Sequence, residues 1–525
     1  MMELLTAAQM RALEAAAIAS GRVTGLELME RAGRGVVEAV FGTWPELAAG
    51  PFRAVVLCGP GGNGGDGFVV ARLLREWGWE VAVFLYGAPE RLPPDARVNY
   101  ERWCGMGEVR GLSNRTLADD AAAHPQTALV VDALFGLGLS RPMVDLGGVQ
   151  DELNFWQAAS RNGTAPRVVA VDVPSGLCAD SGRYLGQGGN PADDAILANL
   201  TVTFHRAKRG HMLAQGPLGS GRLVVCDIGL PGGGGDVHLV APGWPGLTKH
   251  AGHKYGHGHA LVLSGGVGKG GAARLAARGA LRIGAGVVTV AVPPAALIEN
   301  AARLDAVMVR AVGDAAGLAT VLQDQRINAL CVGPGLGVRR AAELLGAALK
   351  VRHECAPYGG VVVDADGLTA LAGDAGLFAQ LHGGCVLTPH GGEFARLFPD
   401  LAAKLAEPAL RGPAYSKVDA CREAAVRAGC VVLLKGADTV IAAPDGRCSI
   451  HSAAYERSAP WLATAGSGDV LAGFICGLLA RGFAPMQAAE TAAWLHAECA
   501  RSFGPGLIAE DLPEELPKVF RALGV

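Results

Sequence analysis

Carboxylates set inside glycine-rich turns are the residues of this chain best suited to chemistry. One turn, Gly59-Pro60-Gly61-Gly62-Asn63-Gly64-Gly65-Asp66-Gly67, follows the apolar run RAVVLC. Another, Ala465-Gly466-Ser467-Gly468-Asp469, precedes VLAGFICGLLA. A glycine turn that opens a helix presents bare N–H groups and a positive dipole end, which suit a phosphate or a developing anion. An aspartate there repels phosphate unless it moves a proton or holds a cation. Two such turns, far apart in the chain, predict two active sites.

Other strand ends supply more acids. Asp132 closes the strand of LVVDALFGLGL, and Asp172 that of VVAVDVPSGL, with Ser175 shortly after. Each aspartate alone would serve as a helix N-cap. Together with Asn63 and Asp66, they predict one crevice at the carboxyl ends of parallel strands. Oxygen ligands without His or Cys suit a hard cation. Gly59, Gly61 and Gly64 also match the dinucleotide fingerprint. Two features oppose that reading: the next strand ends Phe84-Leu85-Tyr86-Gly87 with no acidic ribose ligand, and Asp66 would project into the phosphate cradle.

At the second turn, Gly466, Ser467 and Gly468 offer consecutive N–H donors, and Asp469 sits where a base could meet a substrate hydroxyl. Lys435-Gly436-Ala437-Asp438-Thr439 and Asp364-Ala365-Asp366 end strands of the same half. SGGVGKGGAARL fails as a P-loop, because Lys269 is followed by Gly270 instead of Ser or Thr. HKYGHGH (253–259) reads as a structural turn in preference to a metal cluster.

The elements that must position these residues alternate. Strands are predicted at 53–58, 80–86, 127–135, 167–174, 200–204 and 222–229, with helical stretches such as GFVVARLLREWG between them. Continuous apolar runs of this kind belong to parallel strands covered on both faces, the doubly wound α/β signature. The run Pro231 to Asp236 reads as a flexible connector, dividing the chain into domains 1–236 and 237–525. A second α/β series follows: HALVLSGG, GVVTVAVP, NALCVGPG, GGVVVDADG, GCVLTPH and GCVVLLKG. The hairpin TVIAAPDGRCSIHS then turns at Asp445-Gly446.

The N-terminal MMELLTAAQMRALEAAAIAS reads as an amphipathic helix and lacks the marks of a secretory signal. With 525 residues, 50% of them apolar and 18% charged, the chain needs more than one core. A net charge of −3 without a basic run gives no footprint for nucleic acid or an anionic membrane. No apolar stretch reaches the roughly 20 residues of a spanning helix. Twelve scattered cysteines without a CxxC pair suit reduced thiols in the cytoplasm.

LTAAQMRALE, ELMERAG, GPGGNGGDG, VVDALFGLGLSRP, AVDVPSGL and TVTFHRAKRG together resemble the NAD(P)H-hydrate epimerase domain, over nearly all of 1–230. The resemblance implies a Rossmann-like α/β/α domain. It also implies that hydrated nicotinamide nucleotide is bound by Gly62, Asn63, Gly64, Gly65 and Asp66, by the loop Gly136-Leu137-Gly138-Leu139-Ser140-Arg141-Pro142, and by Asp172. Potassium would be held by Asn63, Asp132 and Ser175. Gly62 stands where the family usually has another asparagine, and Leu137 where it has a small hydroxyl residue.

HKYGHGH, SGGVGKGGAARLAARGALRIGAGVVTV, GPGLG, VVVDADGL, LTPHGGEF, LLKGADT and LATAGSGDVLAG, in that order, resemble the ADP-dependent NAD(P)H-hydrate dehydratase domain, a ribokinase-like α/β fold, over most of 245–520. This resemblance implies adenine-nucleotide binding by Lys435, Gly436, Ala437, Asp438, Thr439 and Gly468. Ala272, Gly337, His390 and Asp469 would contact the hydrate.

The two resemblances imply a bifunctional repair enzyme. R and S hydrates of NADH and NADPH would be interconverted at the first site, with Asp172, then Asp66, as the leading acid/base residues. The S hydrate would be dehydrated at the second site at the expense of ADP, with Asp469 as base and Mg2+ accompanying phosphoryl transfer. A ribokinase-type small-molecule kinase carrying a nucleotide-binding scaffold domain is the alternative. The expected partners are NADHX, NADPHX and ADP, with a homo-oligomeric assembly, no nucleic acid and no membrane.

Overall fold

Every residue of RAVVLC is buried, and its side chains alternate between two apolar layers: Val55 and Leu57 enter one, Ala54, Val56 and Cys58 the other. A strand apolar on both faces demands helices on both sides of its sheet. The computed structural model, which describes residues 2–143, 145–160, 166–186, 196–241, 245–350 and 360–525, meets that demand twice. The chain folds into two compact units.

The first unit holds β1 (Arg53–Cys58), β2 (Glu80–Leu85), β3 (Val109–Gly111), β4 (Leu129–Ala133), β5 (Arg167–Val171), β6 (Leu200–Phe204) and β7 (Arg222–Cys226). Their order is β3-β2-β1-β4-β5-β6-β7, with every pair parallel. Strand order therefore reverses between β1 and β4, where a doubly wound sheet opens a crevice at its carboxyl ends. Both chemistry-bearing loops leave from that point. Gly59 is required there: a Cβ on it would lie 1.6 Å from the Leu134 carbonyl oxygen.

Three expectations need correction. The N-terminal helix α1 spans only Ala7–Ala19, because Thr6 and Gln9 form a capping box that starts it; Met2–Leu4 is a short strand instead. β3, absent from the predicted strands, is three residues long and partly exposed, too short to show a period. The glycine run is no free tether: the Asp236 carboxylate accepts from Gln9 Nε2 (2.7 Å) and pairs with Arg209. In addition, Glu407–Ser416, which the sequence boundary puts in the second half, packs with the first unit. There Ala409 and Ala414 join Cys178 and Leu185 in an apolar cluster, and Gly412 donates to the Ser140 carbonyl (3.1 Å).

The second unit holds β8 (His259–Leu263), β9 (Val287–Val292), β10 (Met308–Ala311), β11 (Ala329–Val332), β12 (Gly360–Val363), β13 (Cys385–Leu387), β14 (Val431–Leu434), β15 (Asp438–Ala442) and β16 (Cys448–Ser452). They are ordered β16-β15-β14-β13-β12-β11-β8-β9-β10. All pairs from β10 to β14 are parallel; β14-β15 and β15-β16 are antiparallel, and the second of these is the predicted hairpin. The helix Ser467–Ala480 is buried from Val470 onward. Its glycines admit the neighbouring helix Gly271–Arg282 at close range: a Cβ on Gly473 would lie 2.1 Å from the Ala276 carbonyl oxygen. That packing fixes the turn carrying Asp469. Among the described residues, no helix is long and apolar enough to cross a membrane.

Candidate active sites

Asp132 ends β4 with no exposed surface. Its Oδ1 accepts from Ser175 Oγ (2.6 Å) and from the Leu134 amide (3.2 Å), and its Oδ2 from the Ser175 amide (2.8 Å). Burial pushes its carboxyl up to about 6, and the hydrogen bonds from Ser175 and Leu134 offset only part of that cost. Asn63, in the first turn of the helix Gly62–Glu76, lies against the next loop: a Cβ on Gly136 would be 3.0 Å from Asn63 Oδ1. Asn63 Nδ2 is buried without a hydrogen-bond partner. A costly buried carboxylate, an amide oxygen and a serine hydroxyl form an oxygen set that fits a weakly hydrated monovalent cation.

A second cluster stands beside it. Asp172, held at φ +65°, accepts from Thr203 Oγ1 (2.7 Å) and from Lys208 Nζ (2.8 Å). Lys208 is fully buried and also donates to Thr203 Oγ1 (2.8 Å) and the Phe204 carbonyl (3.0 Å). His211 braces the pair: its Nε2 meets the Asp172 carbonyl (3.0 Å), and its Nδ1 accepts from the Lys208 amide (3.0 Å). Burial, then the Lys208 charge, pulls the His211 ring down to about 4, so it is neutral.

Asp66 and Glu14 line a cavity of about 220 Å3 with Gly62 and Asp95. Burial, then the charges of Asp172 and Glu14, push Asp66 well above the usual carboxylate range. Burial, then the Asp172 charge, raises Glu14 to about 6. A carboxyl of raised proton affinity thus stands near a lysine-paired carboxylate, an arrangement that sets the two acids apart.

In the second unit, Gly466 takes φ +88° to start the helix Ser467–Ala480, leaving first-turn amides for a ligand. Burial, then the Asp364 charge, raises Asp469 to about 6; Asp366 and Glu393 push the same way, and Lys435 opposes them. Lys435 Nζ is 2.7 Å from Asp364 Oδ1 and 3.8 Å from Glu393 Oε2. It is also 3.5 Å from where a Cβ on Gly468 would stand, so a cation overhangs the anion cradle. Two of these carboxylates place other residues: Asp366 Oδ2 accepts from the Gly337 amide (2.8 Å), and Glu393 Oε2 from the His390 amide (2.9 Å). A cavity of about 530 Å3 opens beside this centre, lined by Lys435, Gly436, Ala437, Thr439 and Gly468 among others.

Comparison with known proteins matches residues 25–210 to the YjeF-related protein N-terminus family and residues 260–518 to the NAD(P)H-hydrate dehydratase family. The bifunctional NAD(P)H-hydrate repair enzyme Nnr of Moorella thermoacetica is 38% identical over 559 aligned residues, covering 99% of this chain and 97% of that protein. This chain belongs to the bifunctional NAD(P)H-hydrate repair enzyme family. The NAD(P)H-hydrate epimerase of Roseobacter litoralis is 46% identical over 243 residues, covering 44% of this chain and all of that protein. A Bacillus subtilis ADP/ATP-dependent NAD(P)H-hydrate dehydratase, co-crystallised with ATP/Mg2+, is 27% identical over 53% of this chain and 93% of that one, with a TM-score of 0.42.

Within the repair-enzyme halves, the structure joins Asp132 to Ser175 and sets Asn63 against Gly136, next to the Phe135 amide that donates to Ser175 Oγ (2.9 Å), while Asp66 lies within reach of the Asp172 charge. Gly62 faces open space, so its missing side chain leaves the cavity wall bare. In the loop from Gly136 to Pro142, the Leu137 carbonyl accepts from Arg11 (2.8 Å), while Gly138, Ser140 and Arg141 are exposed. Ala272 abuts the turn after β11: a Cβ on Gly335 would be 3.1 Å from its methyl group. His390 caps the helix Gly391–Leu397 through its ring. Asp438 is not part of the nucleotide-side cavity lining; its carboxylate pairs with Lys417 at 2.7 Å. Sequence reasoning did not single out Lys208, Glu14 or Glu393. Lys208 lies inside the TVTFHRAKRG segment, but only its burial marks it. Among the described residues, no group of three or more His, Cys, Asp or Glu is arranged to hold a metal.

Proposed function

We propose that this chain repairs hydrated NADH and NADPH at two separate sites. The observation that carries the reading is that each glycine turn delivers a carboxylate of raised proton affinity, Asp66 or Asp469, beside the amides of a helix start. Family membership supplies the pair of reactions: epimerisation of the hydrates, and dehydration to the dinucleotide.

At the first site, changing configuration at C6 requires the C6 oxygen to leave or the ring to open, and both need proton transfer. Asp66, whose proton affinity is raised, serves as acid; Asp172, paired with Lys208, serves as base. Asn63, Asp132 and Ser175 would hold potassium, which neutralises the buried Asp132 and fastens the Gly59–Gly67 turn to the β4 loop.

At the second site, Asp469 takes the proton of the C6 hydroxyl as that oxygen attacks the β-phosphorus of ADP. The P–O bond to AMP breaks, and Lys435 with the Gly468 amide meets the negative charge of the transferring phosphoryl. The C6–O bond then breaks, a C5 proton passes to the departing phosphate, and the C5=C6 double bond of the nicotinamide ring is restored. Mg2+ would arrive on the phosphates of the nucleotide. The described cysteines form no disulfide, which suits a cytoplasmic enzyme.

Incubating the protein with separated R and S hydrates, with and without ADP, tests the reading. Recovery of NADH absorbance from the S hydrate only with nucleotide, and fast R-to-S exchange without it, is expected. Nucleotide turnover that yields a stable phosphorylated product and no NADH would favour the kinase alternative.

A further inference from the structure

The 530 Å3 cavity is mostly apolar, with Ala459, Leu462, Leu471, Ala493 and Ala497 in its wall. Most of its polar groups are already engaged. Thr439 Oγ1 donates to the Gly436 carbonyl (2.8 Å) and accepts from the Gly436 amide (3.2 Å). Ser467 Oγ is spent on the carbonyls of Leu462 (2.9 Å) and Thr464 (3.0 Å), and His496 Nε2 meets the Ser467 carbonyl (2.8 Å). His451 differs. It lines the same cavity from β16, paired in register with Thr439 of β15, and is 4% exposed; its Nε2 is buried with no hydrogen-bond partner. A buried polar atom left unpaired in the wall of a ligand-sized cavity is placed to take its partner from whatever fills that cavity.

We propose that His451 selects the base of the nucleotide, its Nε2 accepting a hydrogen bond from the 6-amino group of adenine, on the edge that also carries N1. The inference rests on reading this cavity as the nucleotide site. Burial, then the charges of Arg457 and His496, pulls the imidazole down to about 3, so the ring is neutral and brings direction without charge. A neutral imidazole therefore adds little to phosphate binding, which Lys435 already serves. Small apolar side chains pack the faces of a planar ring, and one directional nitrogen then reads its edge. That edge is where purines differ in sense: adenine has an acceptor at N1 and a donor at position 6, and hypoxanthine has the reverse. A site built to hydrogen-bond one pattern rejects the other by leaving its own buried group unpaired.

Calorimetric titration of the full-length protein with ADP and with inosine 5′-diphosphate tests this. The unmodified chain should bind ADP at least about tenfold more tightly, a comparison that needs no variant. His451→Phe, which keeps the ring and removes the nitrogen, should weaken ADP binding by about tenfold and bring the two nucleotides close to parity. His451→Gln should restore part of the preference. Equal binding of both nucleotides by the unmodified chain, or an unchanged preference in His451→Phe, overturns the assignment. Absence of any ADP binding by the unmodified chain overturns the reading of the cavity itself, and His451 selection with it.

Discussion

Replacing Asp469 by asparagine should make the protein more stable and nearly inactive as a dehydratase, with both effects following from one displacement in proton affinity. Burial and the Asp364, Asp366 and Glu393 carboxylates raise Asp469 from 3.8 to about 6. The folded state therefore holds this proton more tightly than the unfolded chain does. The resulting penalty is full above pH 6, shrinks as pH falls toward 3.8, and vanishes below it. Each tenfold in proton affinity is worth about 1.4 kcal/mol, so the charged carboxylate costs roughly 2–3 kcal/mol at neutral pH. Asparagine is nearly isosteric and uncharged. At about pH 7.5 the variant should melt several degrees higher in the dehydratase transition, and the gain should narrow as pH falls toward 5.

Activity should move the other way. A lost general base costs about 10²–10⁴-fold, or roughly 3–5 kcal/mol of barrier. Because the amides of Gly468 and the Lys435 ammonium are untouched, ADP affinity should change little. The unmodified enzyme should also lose dehydration as the pH drops through about 6, the value to which Asp469 is raised. Thermal scans across pH, ADP calorimetry and NADH recovery from S hydrate together check the reasoning. It fails if Asp469→Asn retains activity within about tenfold, or if its stability gain does not depend on pH.

Further outcomes follow from the first unit. Asp132→Ala should abolish potassium dependence and slow R-to-S exchange, while ADP-dependent dehydration is unchanged; normal exchange in potassium-free buffer would reduce Asp132 to a helix cap. Lys208→Met leaves Asp172 without its buried cation, a loss that costs about 3–5 kcal/mol, so the epimerase transition should fall sharply in denaturant. Gly59→Ala should disrupt the site without touching its chemistry, since the added methyl meets the Leu134 carbonyl oxygen at 1.6 Å. Its epimerase activity should be absent while dehydration persists, and an active Gly59→Ala enzyme would show that the turn can open.

The sequence alone determined the parallel sheets, because strands covered on both faces must be apolar at every position, as in RAVVLC and GVVV. It also marked the glycine turn that follows RAVVLC into the helix Gly62–Glu76, since a run of glycines between a strand and a helix fixes a tight connection. Local capping is set within the sequence too, although the reading of the first twenty residues as one helix passed over it: Thr6 with Gln9 and Thr24 with Glu27 start helices through contacts a few residues apart.

What the sequence could not decide depends on distant parts of the chain meeting in low dielectric. Whether Asp66 is an acid or a base turns on Asp172 and Glu14, which approach only after β1, β5 and α1 have packed. Lys208 looks like any surface lysine until the fold buries it against Asp172. Asp438 sat inside a plausible nucleotide motif, yet hairpin pairing turns its carboxylate to Lys417. Glu407–Ser416 gave no local sign that it packs with the first unit, because its apolar residues are few and their partners, Cys178 and Leu185, lie far back in the chain. Strand period and turn chemistry are set by neighbours along the chain. Proton affinity and partner choice are set by neighbours in space, and only the tertiary structure names those.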